Sequence, residues 1–169
     1  MAVRLAGIKS MSIFAKKCPK IRLTVLRFLI DMLNDEIDEV RIGALHGIGR
    51  FNEVLTLNDY EVDTVLFNLN EDNLKLRSEI YHFFGETVID RSPLFLKLIE
   101  SLMSNLLKFL HEDQHMIYKL MKKLGESHHK LIVNLYHKIL DVDKRFLAKE
   151  PNQNDPCYVA KIILISSAA

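Results

Sequence analysis

Tryptophan is absent from this chain of 169 residues, and aromatics of any kind make up 8% of it. That leaves little for the stacking platforms that hold unpaired bases. Cysteine occurs only at Cys18 and Cys157, far apart and in no Cys-x-x-Cys pair. This spacing argues against a disulfide framework or a cysteine metal site and suits buried thiols in a reducing compartment. Four prolines and six glycines are the sparse punctuation of long helices joined by short turns. No apolar run approaches the ~20 residues needed to cross a bilayer, so no membrane association is expected. The greasiest stretch, Ile162 to Ile165, is too short. Also missing are a Gly-rich phosphate loop, a nucleophile elbow and a cysteine with an evident histidine partner. Nothing in the chain supports an enzyme, a catalytic residue or a cofactor site.

What the chain does have is an apolar fraction of 49%, enough for a sizeable core, and a phrase that returns at a fixed interval. Val3-Arg4-Leu5-Ala6-Gly7-Ile8 reappears as Val40-Arg41-Ile42-Gly43-Ala44-Leu45 and, more loosely, as Leu76-Arg77-Ser78-Glu79-Ile80-Tyr81. The three arginines stand 37 and 36 residues apart. Self-similarity at that period marks a helical repeat array, in which no unit buries its apolar face alone. Such proteins act by presenting surfaces.

Helical spacing of apolar residues, proline stops and capping residues resolve the chain into about nine helices. Cys18-Pro19 ends the first, because a residue preceding proline is pushed out of the α region. Asp38 is expected to cap the helix Glu39–Phe51, Ser92-Pro93 to cap and start another, and Asp155-Pro156 to start the last. Gly125 is expected to stop the helix Gln114–Leu124. Asp141–Asn154 reads as a polar connection with one helical turn around Phe146. The expected fold is all-α: an α-solenoid of about four HEAT-type helix pairs plus one leading helix. Residues 1–169 form a single HEAT-repeat segment, expected to be part of a longer solenoid protein.

The repeated residues have a structural reading. Val3, Val40 and Leu76 are expected in a continuous buried ladder. Arg41 and Arg77 lie near acidic turns in which Asp35 and Asp72 can accept charge-assisted hydrogen bonds; Arg4 holds the same register. Solvated arginines on an open face would contribute only ~0–1 kcal/mol each, and recurrence at one register favours the structural role.

The net charge of +1 hides an asymmetry. Residues 1–30 hold seven Lys/Arg and no acid, whereas residues 31–72 hold eleven acids against Arg41 and Arg50. An acid-free amphipathic start also fits a mitochondrial transit peptide, but a transit peptide has no reason to carry the first copy of a repeat. Lys16, Lys17, Lys20 and Arg22 form one basic cluster. Lys119, Lys122, Lys123 and Lys130, with His128 and His129, form a second. Either could meet RNA phosphates, an anionic small molecule or an acidic partner; the plainer reading of the second is a solvated helix face. His128-His129 suits a surface or capping position. His111-Glu112-Asp113-Gln114-His115 fits the zinc-protease signature, which needs both imidazoles on one continuous helix. It is expected to fall on a turn, with no third ligand, and no metal site is assigned.

Several segments together resemble the HEAT region of the Integrator complex subunit 4 family. They are Glu36-Ile37-Asp38-Glu39-Val40-Arg41, Leu57-Asn58 with Val62-Asp63-Thr64-Val65-Leu66, and Glu71-Asp72 with Leu76-Arg77-Ser78-Glu79. Further on come Lys123-Leu124-Gly125-Glu126-Ser127-His128, Glu150-Pro151, and Asp155-Pro156-Cys157-Tyr158-Val159-Ala160 before an aliphatic helix ending in Ala168-Ala169. The resemblance covers most of residues 34–169 and is weakest between Ile80 and Phe109. It implies a nuclear, non-catalytic scaffold in a complex that cleaves nascent RNA, processes small nuclear RNA 3′ ends and attenuates transcription. The implied partners are other Integrator subunits, including the paired metallo-β-lactamase-type nuclease subunits, and the role is similar to that of symplekin. Other readings are a HEAT or armadillo-like adaptor, such as a nuclear-transport protein, and a solenoid binding RNA through its lysines.

Overall fold

A computed structural model describes residues 1–51, 57–141, 152 and 154–169. The described residues hold nine α-helices and no strand, so the fold is all-α. None of the helices is long and apolar enough to cross a membrane. The chain forms two units, Met1–Thr87 and Val88–Ala169.

In the first unit the helices are α1 (Ala2–Lys17), α2 (Arg22–Asp31), α3 (Asp38–Gly49), α4 (Asp59–Phe67) and α5 (Leu74–Glu86). Cys18 is extended ahead of Pro19 and breaks α1 from α2 as the sequence requires. A 3-10 turn continues α2 through Met32–Asn34, and another continues α4 through Asn68–Asn70. The two copies bury the same pattern: Val25, Leu26, Leu29, Ile30 and Leu33 in one, Val62, Val65, Leu66 and Leu69 in the other. Each such side chain fully removed from water contributes roughly 1.5–3 kcal/mol. The segment 22–34 packs on α3 and the turn at 68–70 on α5, while α3 is sandwiched between α1 and α5.

This stacking is close. A Cβ on Gly47 would lie 2.6 Å from the Ser12 hydroxyl of α1 and 3.2 Å from Leu29 of α2, so a bare backbone is needed where three helices meet. The start of α4 is fixed by a capping box. The Glu61 amide donates to the Asn58 side chain, and the Asn58 amide donates to the Glu61 carboxylate, both at 2.9 Å. Asn73 caps α5 by accepting from the amides of Lys75 and Leu76.

The second unit holds α6 (Ser92–Lys108), α7 (Leu110–Ser127), α8 (His129–Ile139) and α9 (Pro156–Ser166). Leu94, Leu98 and Leu102 of α6, Ile117, Leu120 and Leu124 of α7, Ile132 and Ile139 of α8, and Leu164 of α9 are buried. Helix α9 lies chiefly on α7, the same second-helix-on-second-helix relation as α3 on α1. Asp141, with φ 53°, sits just beyond α8 in the left-handed conformation that commonly ends helices.

Several expectations are corrected. Val3 is 85% exposed, while Val40 and Leu76 are fully buried; α1 faces its neighbours through Ile8, Ser12 and Ala15, and no described helix covers the Val3 side. Ile37, not Asp38, is the N-cap of α3, because the Asp38 carboxylate is drawn to Arg41 and Asn73. Arg91 holds the N-cap position of α6, and Ser92 is its first helical residue. Gly125 does not stop α7, which runs on to Ser127; it is the contact point with α9, where a Cβ would lie 2.5 Å from the Leu164 carbonyl oxygen. The turn expected at His111–Asp113 lies instead at Phe109 (φ −121°, ψ 40°). Acidic Glu112 and Asp113 then occupy the first turn of α7, where the helix dipole favours them. Cys18 and Cys157 are half-buried free thiols. The helical turn expected around Phe146 lies outside the described residues, as do Glu150 and Pro151.

Candidate functional site

The repeat arginines form a charged edge on the first unit, with a register that differs from expectation. Asp35 pairs with Arg4, not Arg41: one Arg4 nitrogen donates to both Asp35 oxygens at 2.9 Å. Arg41 likewise reaches forward, to Glu71 at 3.4 Å and to the Asn68 side chain at 3.2 Å, while gripping Asp38 within its own helix. Arg77, fully buried, donates to the Glu71 backbone carbonyl at 2.9 Å. Two successive repeat arginines therefore converge on one acidic turn. Asp72 is exposed in that turn, and Leu76 is buried one helical step beyond.

The electrostatics follow from these contacts. The hydrogen bond from Arg41, then the one from Asn73, holds the Asp38 carboxyl below its ordinary pKa against the opposing effect of burial. Burial disfavours the Arg41 charge, but the bond to Asp38 and the negative charges of Asp38 and Glu71 outweigh it and raise the Arg41 pKa. Both groups are fixed in their charged forms.

A second link between repeats was not singled out from sequence. His46 Nε2 of α3 lies 2.8 Å from Glu79 of α5. The pair rims a groove of about 350 Å³ that Leu45, Arg50, His82 and Phe83 also line. The signal was available in the phrase register, since His46 and His82 are one repeat apart.

In the second unit, Lys119, Lys122 and Lys123 lie on the exposed side of α7, opposite the buried Ile117, Leu120 and Leu124. Lys122 approaches Glu126 at 3.9 Å. Lys130 is exposed at the second residue of α8, beyond the α7–α8 junction. His111 and His115 are exposed one turn apart on α7; with the helix continuous, the objection from the turn disappears. Among the described residues no group of three metal-ligating side chains includes this pair.

His128, expected at a surface or capping position, holds the N-cap position of α8 and is buried. Its Nε2 accepts from the Ile89 amide at 2.9 Å, and Nδ1 lies 2.8 Å from the Ser127 hydroxyl and 3.1 Å from the Leu124 carbonyl. The ring also packs on Phe95, with centroids 5.2 Å apart. Burial lowers its pKa, and the neutral ring carrying its proton on Nδ1 satisfies every partner. Asp155 caps α9 by accepting from the Cys157 amide at 3.2 Å, and Pro156 is the first helical residue. Burial, then the Asp155 charge, raises the Cys157 pKa, with Lys161 opposing; a protonated thiol of this kind is a poor nucleophile.

These features define an all-α protein of repeated antiparallel helix pairs, whose distinctive polar residues tie neighbouring helices together and line open surfaces. No protein-family model matches the chain. Over 168 residues, 99% of its length, it is 33% identical to Integrator complex subunit 4 of Homo sapiens. It is 28% identical over 169 residues to the Drosophila melanogaster protein of that name, and 24% identical over 163 residues to the Dictyostelium discoideum homolog. The chain spans 17%, 16% and 13% of these relatives, respectively. It is thus related throughout its length to one part of Integrator complex subunit 4.

Proposed function

We propose that the chain is a non-catalytic HEAT-repeat scaffold segment of the Integrator type, working in the nucleus through protein–protein contacts. The observation that carries this reading is whole-length similarity to Integrator complex subunit 4, on a chain whose repeat phrase sets the register of its inter-helix ties. A solenoid of such units presents long surfaces at little cost in stability, because each unit is held mainly by its neighbours. In this role the segment supports assembly of the RNA 3′-end cleavage machinery, including the paired metallo-β-lactamase-type nuclease subunits. It is one portion of a longer solenoid.

The test is tagged affinity purification of the full-length parent protein from nuclear extract, with mass spectrometry of the bound proteins. Recovery of the two nuclease subunits in near-equal amounts is expected. Transport factors or unrelated cargo without the nucleases would discard the Integrator role.

A further inference from the structure

Two exposed aromatic rings share one side of α4, a helix in the middle of the first unit with α2 packed on it and α5 following. Tyr60 is 60% exposed and Phe67 68%. At 3.6 residues per turn, both stand roughly 140–160° round the helix from the buried Val62 and Val65. They therefore occupy the outer side of α4, opposite the side that packs. The fold does not require rings there. Leu26, Leu29 and Ile30 of α2 recur 36 residues later as Val62, Val65 and Leu66, all buried. At the same offset, exposed Thr24 and Asp31 stand where α4 has Tyr60 and Phe67. Helix α2 thus fills the same place in its repeat with polar residues at these positions.

The geometry points to a docking strip for an arginine-bearing segment of a partner protein, formed by Tyr60, Asp63 and Phe67 of α4 with Asp31 of α2 beside them. Asp63 is exposed on the same side, between the two rings along the helix, and the Tyr60 hydroxyl donates to Asp31 at 3.4 Å. The charge around the strip has one sign: residues 51–74 contain six acids and no Lys, Arg or His. Aromatic faces attract cations, and a planar guanidinium stacks on them where a hydrated ammonium does not. A carboxylate beside the ring accepts the guanidinium N–H groups. The rings are seven residues apart, about 10 Å along the axis. Two arginines of an extended Arg-x-x-Arg, at ~3.3 Å per residue, span that distance. An RNA strand is a poor occupant, because its phosphates meet the same acidic field. An apolar helix is another, because it would strip water from Asp59 and Asp63 and return no hydrogen bond. The inference adds a partner surface to the scaffold reading and does not depend on it.

The probe is a fluorescein-labelled peptide carrying two Arg-Ser-Gly-Arg units, titrated into the 169-residue protein and followed by anisotropy. The same peptide with lysine in place of arginine is the comparison. Tyr60→Ala, Phe67→Ala and Asp63→Asn are the diagnostic variants, and Tyr60→Phe keeps the ring. All three side chains are exposed, so the fold tolerates the changes, as circular dichroism will verify. Saturable binding is expected, tighter for the arginine peptide than for the lysine one. Loss of either ring should weaken it about two- to fivefold, Asp63→Asn should also weaken it, and Tyr60→Phe should preserve it. No saturable binding, equal binding of the two peptides, or binding indifferent to loss of the rings would overturn the proposal. So would a wild-type dimer by sedimentation that Phe67→Ala dissolves, which would assign the strip to the basic residues of a second copy.

Discussion

His128 gives the sharpest test of the second unit. Replacing it with Phe keeps an aromatic ring against Phe95 but removes the acceptor for the Ile89 amide. A buried donor left without a partner costs about 1–3 kcal/mol, the expected loss at pH 7.5, where the wild-type ring is neutral. Acid should erase that difference. Burial holds the His128 pKa below its ordinary 6.5, so below that pH the unfolded chain binds a proton that the folded chain does not. Stability therefore falls as pH drops from 6.5 until the folded pKa is passed. Each tenfold loss of proton affinity in the folded state is worth about 1.4 kcal/mol. Protonation places a proton on Nε2 and breaks the Ile89 bond, so wild type and His128→Phe should converge in acid. Urea unfolding of both proteins between pH 7.5 and 4.5 measures the gap, and the other histidines contribute equally to each curve. Exchange protection of the Ile89 amide provides a local check. A gap that stays constant or widens in acid would refute the assignment of His128 as a neutral acceptor.

Three further perturbations probe the packing and the charged edge. Arg41→Met removes the guanidinium shared by Asp38, Asn68 and Glu71; a loss of about 1.5–3 kcal/mol is expected in urea unfolding, and unchanged stability would show the edge to be solvated. Gly125→Ala places a methyl 2.5 Å from the Leu164 carbonyl, and the forced shift of α9, about 1–3 kcal/mol, should exceed the ~1 kcal/mol helix-propensity gain; a raised melting temperature would contradict that contact. Val40→Asp buries an unpaired charge at a fully enclosed position, and a penalty of several kcal/mol should abolish the cooperative unfolding of residues 1–87; wild-type thermal unfolding would show the core register to be wrong.

The all-α character, the helix order and the proline stop after Cys18 were legible in the sequence because they rest on local chemistry. Apolar spacing, caps and proline act within a few residues of themselves. What was not legible depends on neighbours distant along the chain. Gly125 reads as a helix stop by propensity, yet its lack of a side chain answers to Leu164 on another helix. His111-Glu112-Asp113 reads as a turn by polarity, yet an acidic run is equally good as the first turn of a helix, and the break fell at Phe109. Val3 matches the phrase but not the burial, because a repeat position is buried only when a neighbour covers it. His128 sits between Ser127 and exposed His129, and nothing local marks it as the acceptor for an amide 39 residues away.

The direction of the arginine pairing bears on how the repeats depend on one another. Had Arg41 paired with Asp35, each phrase would have neutralised the turn immediately preceding it, and the repeats would have been electrostatically independent. Instead Arg4 reaches Asp35, and Arg41 reaches Glu71, each arginine holding the turn that leads into the next phrase. Such ties make adjacent units depend on one another, the nearest-neighbour coupling expected of repeat arrays. They also occupy carboxylates along that edge of the first unit and lower its field. Lys9, Lys16 and Lys17 of α1 and Arg27 of α2, by contrast, form no ion pair among the described residues.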